Sequence, residues 1–440
     1  MISAEMIPII LAFVCIAVMI AGLIFITITS VPFKNENARR GEGALPKDFI
    51  GQFIKAYNKT FETYDMKPMT NMLTDFMHYS TENTVKVLSK LGIKKKVELT
   101  IDKEYEKNKF VNFVIADGKN DFTIDNSKCV YTETYTSADS DNVLYKRRIK
   151  DAIYCTEFLK SSEEIEDKTW YCLNCGAELH KKSNFFECEC CDSHYDSELL
   201  KWTASDIDVK DNNSFLSKVL MFSIVGMVLL CAIEMAVKSF MFGLILSIIN
   251  ITAIVGFVLY YLWVYKTLLI YTKMKDNDPE FSRMAFQKRI YYLIRVLEMA
   301  RDFDLEKIEA YMLPELYNKI KENNKYDDYY VVDIFFKRLA PTSYRIDGDK
   351  QIVDMDISYE MLLMNPNKKI KLKHGKRHYA MYKHIDAKTI VNTMAKTISC
   401  PNCGANINLT TSAKCRYCDV ALDVSKYDWV FYDAPLEVTK

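Results

Sequence analysis

The sequence predicts an α+β protein built from two copies of one unit, together with three transmembrane helices. A cysteine-rich cassette occurs twice in the 440 residues, and each cassette follows an amphipathic helical pattern and several strand-like runs. Three long apolar stretches interrupt this arrangement. Apolar residues make up 49% of the chain and charged residues 26%, which is typical of a folded globular protein. The formal net charge of zero gives no general attraction to nucleic acid.

Residues 1–33 are predicted to form an N-terminal transmembrane anchor, followed by a linker at residues 34–46. Residues 7–29 are almost wholly apolar, and a helix of this length crosses a hydrocarbon core of roughly 30 Å. A cleaved signal peptide is the alternative. The anchor is favoured because no basic region precedes the apolar stretch and no clear cleavage site ends it.

A second membrane element is predicted at residues 214–266, where two apolar helices separated only by Lys238 would form a hairpin. Basic residues follow the first span and flank both ends of the hairpin, and such residues remain on the cytoplasmic side of a membrane. The predicted localisation is therefore the cell membrane, with three spans, the N-terminus outside and the soluble domains in the cytoplasm.

The two soluble domains are predicted at residues 47–168 and 277–397. Each begins with a helix whose apolar residues recur at helical spacing. These residues are Phe49, Phe53, Ile54, Tyr57 and Phe61 in the first copy and Phe286, Ile290, Leu293, Ile294 and Leu297 in the second. Runs of alternating polarity follow each helix and predict antiparallel strands.

One of these runs, "NKKIKLKHGKRHYAMYKH", is strongly basic. Lys369, Lys371 and Lys373 alternate with apolar residues, so they would share one face of a strand. That face is either solvated or in contact with anionic lipid headgroups. The pair His374-Gly375 is predicted to form a turn.

The two cassettes predict metal-binding ribbons at residues 169–205 and 398–434. They read "YCLNCGAELHKKSNFFECECCD" and "SCPNCGANINLTTSAKCRYCD", and each contains two Cys-x2-Cys knuckles. Four thiolates from two knuckles surround a tetrahedral ion and leave no open position, so the predicted cofactors are two structural Zn2+ ions. Pairs of reducible thiols are the alternative. The predicted ligands are Cys172, Cys175, Cys188 and Cys191 in the first ribbon and Cys400, Cys403, Cys415 and Cys418 in the second.

The run "CECC" in the first ribbon offers three cysteines for two ligand positions. Alignment with the second ribbon selects Cys188 and Cys191, because their spacing matches the other knuckles. Cys190 is then dispensable. His194 is a weaker candidate ligand and is interpreted as a surface residue.

Outside the ribbons, the segments "YDMKPMTNMLTDFM" (residues 64–77) and "FDLEKIEAYMLPELY" (residues 303–317) also align, with Asp65 opposite Asp304. These segments, followed by strands and a ribbon, resemble the domain of the mitochondrial import-motor tether family, and the layout resembles its bacterial members with a membrane anchor and a zinc ribbon. The resemblance implies two cone-shaped domains of the nuclear-transport-factor type, each followed by a zinc ribbon. It implies a tethering or binding role and no catalytic residues.

The predicted function is that of a non-enzymatic integral membrane scaffold or adaptor, which presents two ribbon-bearing domains to the cytoplasm for partner or membrane tethering. No group of residues suited to acid–base catalysis stands out, and Asp65 and Asp304 are interpreted as structural capping residues. The expected partners are the lipid bilayer, an unidentified protein and anionic lipid at the three lysines, whereas nucleic acid is not expected. The alternative is a carrier or enzyme that binds a lipid or small hydrophobic ligand in the pocket of a cone domain.

Overall fold

The computed structural model describes most of the chain. The described residues are 38–40, 49–101, 113–116, 121–160, 169–172, 176–182, 185–190, 194–196, 202–211, 226, 229, 233, 240–279, 281–301, 303–323, 329–387, 397–408, 413–415 and 417–436. The chain forms two compact units, one made of Met1–Ala38 with Asn212–Leu269 and the other of Arg39–Asp211 with Ile270–Lys440. The second unit contains both copies of the repeated domain.

The first copy combines two helices with a sheet, and the first short strand of that sheet precedes both helices in the chain. The helices are α1 (Phe49–Thr63) and α2 (Asp75–Leu91), with a 3-10 helix (Lys67–Met69) between them. The strands of the sheet are β1 (Ala38–Arg40), β2 (Ile93–Ile101), β3 (Phe113–Ala116), β4 (Asp121–Ser137), β5 (Val143–Lys160) and β9 (Trp202–Asp211). They lie in the order β1-β3-β4-β5-β9, and β2 also pairs with β4. Three short strands form a small sheet in the cysteine module: β6 (His180–Lys182), β7 (Phe185–Glu187) and β8 (His194–Asp196).

The second copy follows helix α3 (Phe240–Asn277) and has a similar order of elements. Its helices are α4 (Arg283–Ala300), a 3-10 helix (Leu305–Tyr311) and α5 (Pro314–Asn323). Its sheet has the order β10-β11-β12-β15, formed by β10 (Tyr330–Asp347), β11 (Lys350–Met364), β12 (Ile370–His384) and β15 (Val430–Asp433). Strands β13 (Thr397–Ser399) and β14 (Asn406–Asn408) pair in the cysteine module, and a 3-10 helix (Val424–Lys426) precedes β15. The described residues thus combine helices with antiparallel sheets, which confirms the α+β part of the predicted fold class.

Each cysteine module is inserted before the last strand of its sheet and does not follow a completed domain. The last strand begins at or next to a buried tryptophan, Trp202 in the first copy and Trp429 in the second. This strand also forms one parallel bridge to the segment between the helices, between Ala204 and Leu73 in the first copy and between Phe431 and Met312 in the second. Each cysteine module is therefore flanked in the sequence by two strands of the same sheet.

The helices form where the apolar pattern predicts them. In α1, Phe49, Phe53 and Phe61 are buried, as expected for one face of a helix. Helix α4 begins after Ser282, whose hydroxyl accepts a hydrogen bond from the Ala285 N–H at 3.3 Å. Local sequence signals therefore determine where these helices lie.

The predicted turn at His374-Gly375 is corrected by the structure, because β12 runs without a break from Ile370 to His384. Gly375 pairs with Tyr359 on β11. A Cβ atom at Gly375 would lie 2.5 Å from the Tyr359 hydroxyl oxygen. The glycine is therefore explained by close approach of an aromatic ring and not by a turn.

The prediction of three transmembrane helices is also corrected. Among the residues that the structure describes, no helix has the length and apolarity needed to cross a membrane. The predicted anchor lies outside the described residues, as does most of the first hairpin helix. The third apolar stretch belongs to α3, whose last turns carry Lys273 and Lys275 and bury Ile270 and Met274 in the protein core. The predicted three-span localisation with an external N-terminus is corrected together with the helices.

The two copies pack against each other through a shared apolar core. The first copy contributes Phe61, Leu88 and Tyr135, and the second contributes Val332 and Met361, all of them buried. Helix α2 of the first copy lies beside α4 of the second. Because these side chains are removed from water only when both copies are in place, the contact stabilises the pair.

Candidate metal centre

Four cysteine sulfurs converge in the second module. The sulfurs of Cys400, Cys403, Cys415 and Cys418 all lie within 4.8 Å of one another. Cys400 Sγ is 3.5 Å from Cys418 Sγ, and Cys403 Sγ is 3.6 Å from Cys415 Sγ. Sulfurs that bind one tetrahedral ion at about 2.3 Å are roughly 3.8 Å apart, so this group could hold a metal ion. An ion held by all four sulfurs would have no position left for water.

The backbone of each knuckle forms the same tight turn. The N–H of the first cysteine donates to the carbonyl five residues later, at 2.8 Å for Cys400 and 3.0 Å for Cys415. The N–H four residues later donates back to the carbonyl of that cysteine at 2.9 Å in both knuckles. This fourth residue has a positive φ, 74° at Gly404 and 58° at Asp419. Glycine adopts such a conformation readily and Asp tolerates it, which explains the residue types at these positions.

Two thiols of the second module have pKa values that are shifted in opposite directions. The Val420 amide and then the Asn402 side chain lower the pKa of Cys418 to about 6. The Ala405 amide also lowers the pKa of Cys403, but hydrogen bonds with the neighbouring thiols outweigh it and raise that pKa to about 12. Four adjacent thiolates repel one another, so a cation between them would be needed for all four to ionise at neutral pH. The donor set therefore fits a divalent metal that prefers sulfur.

The first module has the same turn at its first knuckle. The Cys172 N–H donates to the Ala177 carbonyl at 2.7 Å, and the Gly176 N–H donates to the Cys172 carbonyl at 2.8 Å. Gly176 has a φ of 78°. The Cys172 sulfur lies 3.2 Å from the Tyr195 hydroxyl, and both side chains are buried. The three described turns are thus alike in hydrogen bonding and in backbone conformation.

A common strand register accompanies these turns. The residue before the first cysteine pairs with the residue six places after that cysteine. This pairing joins Tyr171 to Glu178, Ser399 to Asn406 and Lys414 to Ala421. Glu187 and His194 pair at the same spacing around Cys188.

Among the described residues, the predicted ligands of the second module are the only complete set that the structure brings together. In the first module, Cys172 and Cys188 are buried, whereas Cys175 and Cys191 lie outside the described residues. Cys190 is exposed. A second metal site is therefore not shown.

The two aligned aspartates lie at the starts of 3-10 helices. An Asp65 carboxylate oxygen accepts the Lys67 N–H at 3.0 Å. The Asp304 carbonyl accepts the Lys307 N–H at 3.2 Å, and its carboxylate lies 3.0 Å from the Lys307 ammonium. The Asp65 side chain thus makes the kind of turn contact that the sequence predicts, whereas the Asp304 side chain makes no capping hydrogen bond and pairs with Lys307.

Sequence reasoning missed a buried ionic cluster between the two copies. The Lys95 ammonium on β2 lies 2.6 Å from a Glu133 carboxylate oxygen and 2.7 Å from an Asp333 carboxylate oxygen on β10. Asp333 also accepts hydrogen bonds from the Tyr135 hydroxyl at 2.8 Å and the Arg295 guanidinium at 2.5 Å. We name Lys95, Glu133, Tyr135, Arg295 and Asp333 the interdomain cluster. Its one sequence signal is a charged residue, Asp333, inside the apolar run "YYVVDIFF".

The charges of the interdomain cluster stabilise one another. Burial would raise the pKa of the Asp333 carboxyl, but Lys95 and then Arg295 hold it below its usual value. Burial would likewise lower the pKa of Lys95, but Asp333 and Glu133 hold it well above its usual value. Both groups are therefore ionised at neutral pH although the side chain of Lys95 is only 7% exposed and that of Asp333 only 2%.

Comparison with known proteins adds no relative: no protein-family model, curated protein or solved structure matches this chain.

Proposed function

We propose that this chain is a non-catalytic scaffold that binds a protein partner through its two ribbon-bearing domains. The observation that carries the proposal is the pairing of buried ionisable groups. Lys95 and Asp333 face each other between the copies. Within the second copy, the Glu298 carboxylate lies 3.0 Å from both Arg301 and Arg377. Acid–base catalysis requires a titratable group that faces a substrate, and these groups face one another.

Packing in the second copy also supports a binding role over a carrier role. The space between α4 and the sheet is filled by aromatic side chains. Phe286 lies against Trp429 with ring centroids 5.3 Å apart, and Tyr379 lies against Phe431 at 6.3 Å. All four rings are buried, so they occupy the volume that a hydrophobic ligand of a cone-shaped domain would need.

The metal in both modules is proposed to be zinc, with one structural ion in each. A site of four sulfurs is typical of zinc in folded modules. The strand register of the first module supports a second ion. The residues that pair around Cys188 have the same spacing as those that pair around the three other knuckles. A turn of that spacing places the second ligand three residues after the first cysteine, which selects Cys191 over Cys190.

Metal analysis of the purified full chain tests the zinc proposal. Two zinc ions per chain are expected, and Cys418→Ser should remove one of them. Less than about one zinc per chain, or iron in its place, would contradict the proposal.

Partner capture tests the scaffold proposal. Wild-type protein and the control Cys190→Ser are expected to retain the same specific binding partner. A double variant, Cys403→Ser with Cys418→Ser, should lose that partner while circular dichroism shows that the sheets remain folded. A metabolite consumed by the intact chain, with loss of turnover on substitution of a single titratable residue, would instead identify an enzyme.

A further inference from the structure

The Asp333 carboxylate of the interdomain cluster binds one copy through each of its oxygens. Its Oδ2 accepts hydrogen bonds from the Lys95 ammonium at 2.7 Å and from the Tyr135 hydroxyl at 2.8 Å, both in the first copy. Its Oδ1 accepts hydrogen bonds from the Arg295 guanidinium at 2.5 Å and from the Ile334 N–H at 2.7 Å, both in the second copy. Four donors from two copies thus converge on one carboxylate, as they would in a carboxylate-binding site.

The two donors of the first copy belong to the interior of that copy. Lys95 on β2 pairs in register with Tyr135 on β4, so both side chains lie on the same face of the sheet. The Lys95 ammonium is 5.8 Å from the ring centroid of Phe61 on α1, and all three side chains are buried. Glu133 lies 2.6 Å from the same ammonium, which has three donors and can therefore serve both carboxylates. The first copy thus holds two donors between its sheet and its first helix.

Asp333 reaches this interior from an irregular point of β10. The pairing of β10 with β11 shifts between Val331 and Asp333, and such a shift changes the direction in which a side chain points. The neighbours of Asp333 in the chain, Val332 and Ile334, are both buried. Arg295 also donates to the Ile334 carbonyl at 2.6 Å. The second copy thus fixes both the position of the carboxylate and the two donors on its own side.

We propose that the two copies form a composite binding site for a small carboxylate, which Asp333 occupies as an internal ligand. In the wild type this internal ligand excludes a carboxylate from solution. When the carboxyl group of Asp333 is removed, a free carboxylate of the same size should bind the same four donors. Formate matches the group that Asp333→Ala deletes. Because the ligand touches both copies, its binding should also restore their contact. This inference does not depend on the scaffold function.

Thermal unfolding of the full-length Asp333→Ala variant in sodium formate at pH 7 tests the proposal, and sodium chloride at the same concentration controls for ionic strength. Formate up to about 0.2 M should raise the unfolding midpoint by roughly 2–5 °C above that in chloride, and the shift should saturate. The wild type should show no difference between the two salts, because Asp333 fills the site. Pivalate has the same charge but is larger than the vacated space, so it should act like chloride.

Two further variants separate binding from general stabilisation by the salt. Asp333→Asn keeps the space filled, so formate should not raise its midpoint above that in chloride. Asp333→Ala with Lys95→Met lacks the ammonium that faces the ligand, so it should lose most of the formate shift. Equal midpoints of Asp333→Ala in formate and chloride would overturn the proposal, as would an equal formate shift in the wild type or in the double variant. If Asp333→Ala is unfolded in chloride, formate should restore its circular dichroism, and failure to do so would also overturn the proposal.

Discussion

Replacing Asp333 with Asn should destabilise the contact between the two copies strongly. The substitution keeps the size of the side chain but removes the charge that faces both Lys95 and Arg295. Lys95 would then retain only Glu133 as a carboxylate partner within ion-pair distance among the described residues. A buried ammonium that loses a partner bears the cost of desolvation without full compensation.

The size of the effect follows from the burial of the cluster. The side chain of Asp333 is 2% exposed and that of Lys95 is 7% exposed. Removal of one partner from a buried pair of this kind costs about 3–5 kcal/mol. The double variant Asp333→Asn with Lys95→Met should cost less than the sum of its two single variants, because the two side chains interact directly. It should not restore full stability, because the Glu133 carboxylate, 1% exposed, would keep only Arg147 at 3.9 Å as an ion-pair partner among the described residues.

Urea unfolding of the full chain, followed by tryptophan fluorescence and circular dichroism, measures the free energy of unfolding. The matched control is Asp139→Asn, which removes another ion pair between the copies. That pair, Asp139 with Lys368, is exposed on both sides, so no measurable change is expected. Equal effects of Asp333→Asn and Asp139→Asn would refute the reasoning, and so would a double variant as unstable as the sum of its single variants.

Three further predictions concern the metal modules, the pH dependence of stability and a close packing contact. Cys190→Ser should keep both zinc ions whereas Cys191→Ser should lose one, as measured by elemental analysis, and the reverse result would assign the ligand to Cys190. Because the folded protein lowers the pKa of Asp333, its contribution to stability is present above the unfolded pKa of about 3.9 and is lost as the pH falls through the lower folded value. Urea titrations should therefore show a steeper loss of stability below about pH 4 for the wild type than for Asp333→Asn, and identical slopes would contradict this. Gly375→Ala should lower the free energy of unfolding by about 1–3 kcal/mol, because its Cβ would lie 2.5 Å from the Tyr359 hydroxyl oxygen. Thermal unfolding should show this loss. The loss should be smaller in a Tyr359→Leu background if the contact is the cause.

Much of the metal centre was predictable because its geometry is local. The hydrogen bonds of each knuckle join residues no more than five positions apart, so the Cys-x2-Cys spacing and the residue at the positive φ nearly define the turn. The helices α1 and α4 were predictable for a similar reason, since their buried faces follow from the 3.6-residue period. The continuous strand at His374-Gly375 was not predictable, because the space beside Gly375 is filled by the ring of Tyr359 from another strand.

By itself, the sequence determined the α+β class, the four-cysteine group of the second module and the buried faces of the first helices. Only the tertiary structure decided where each module enters its sheet and how the copies join. Lys95 and Asp333 are separated by 238 positions, and no short-range pattern relates such residues. Their contact depends on a shared apolar core that exists only after both copies have folded.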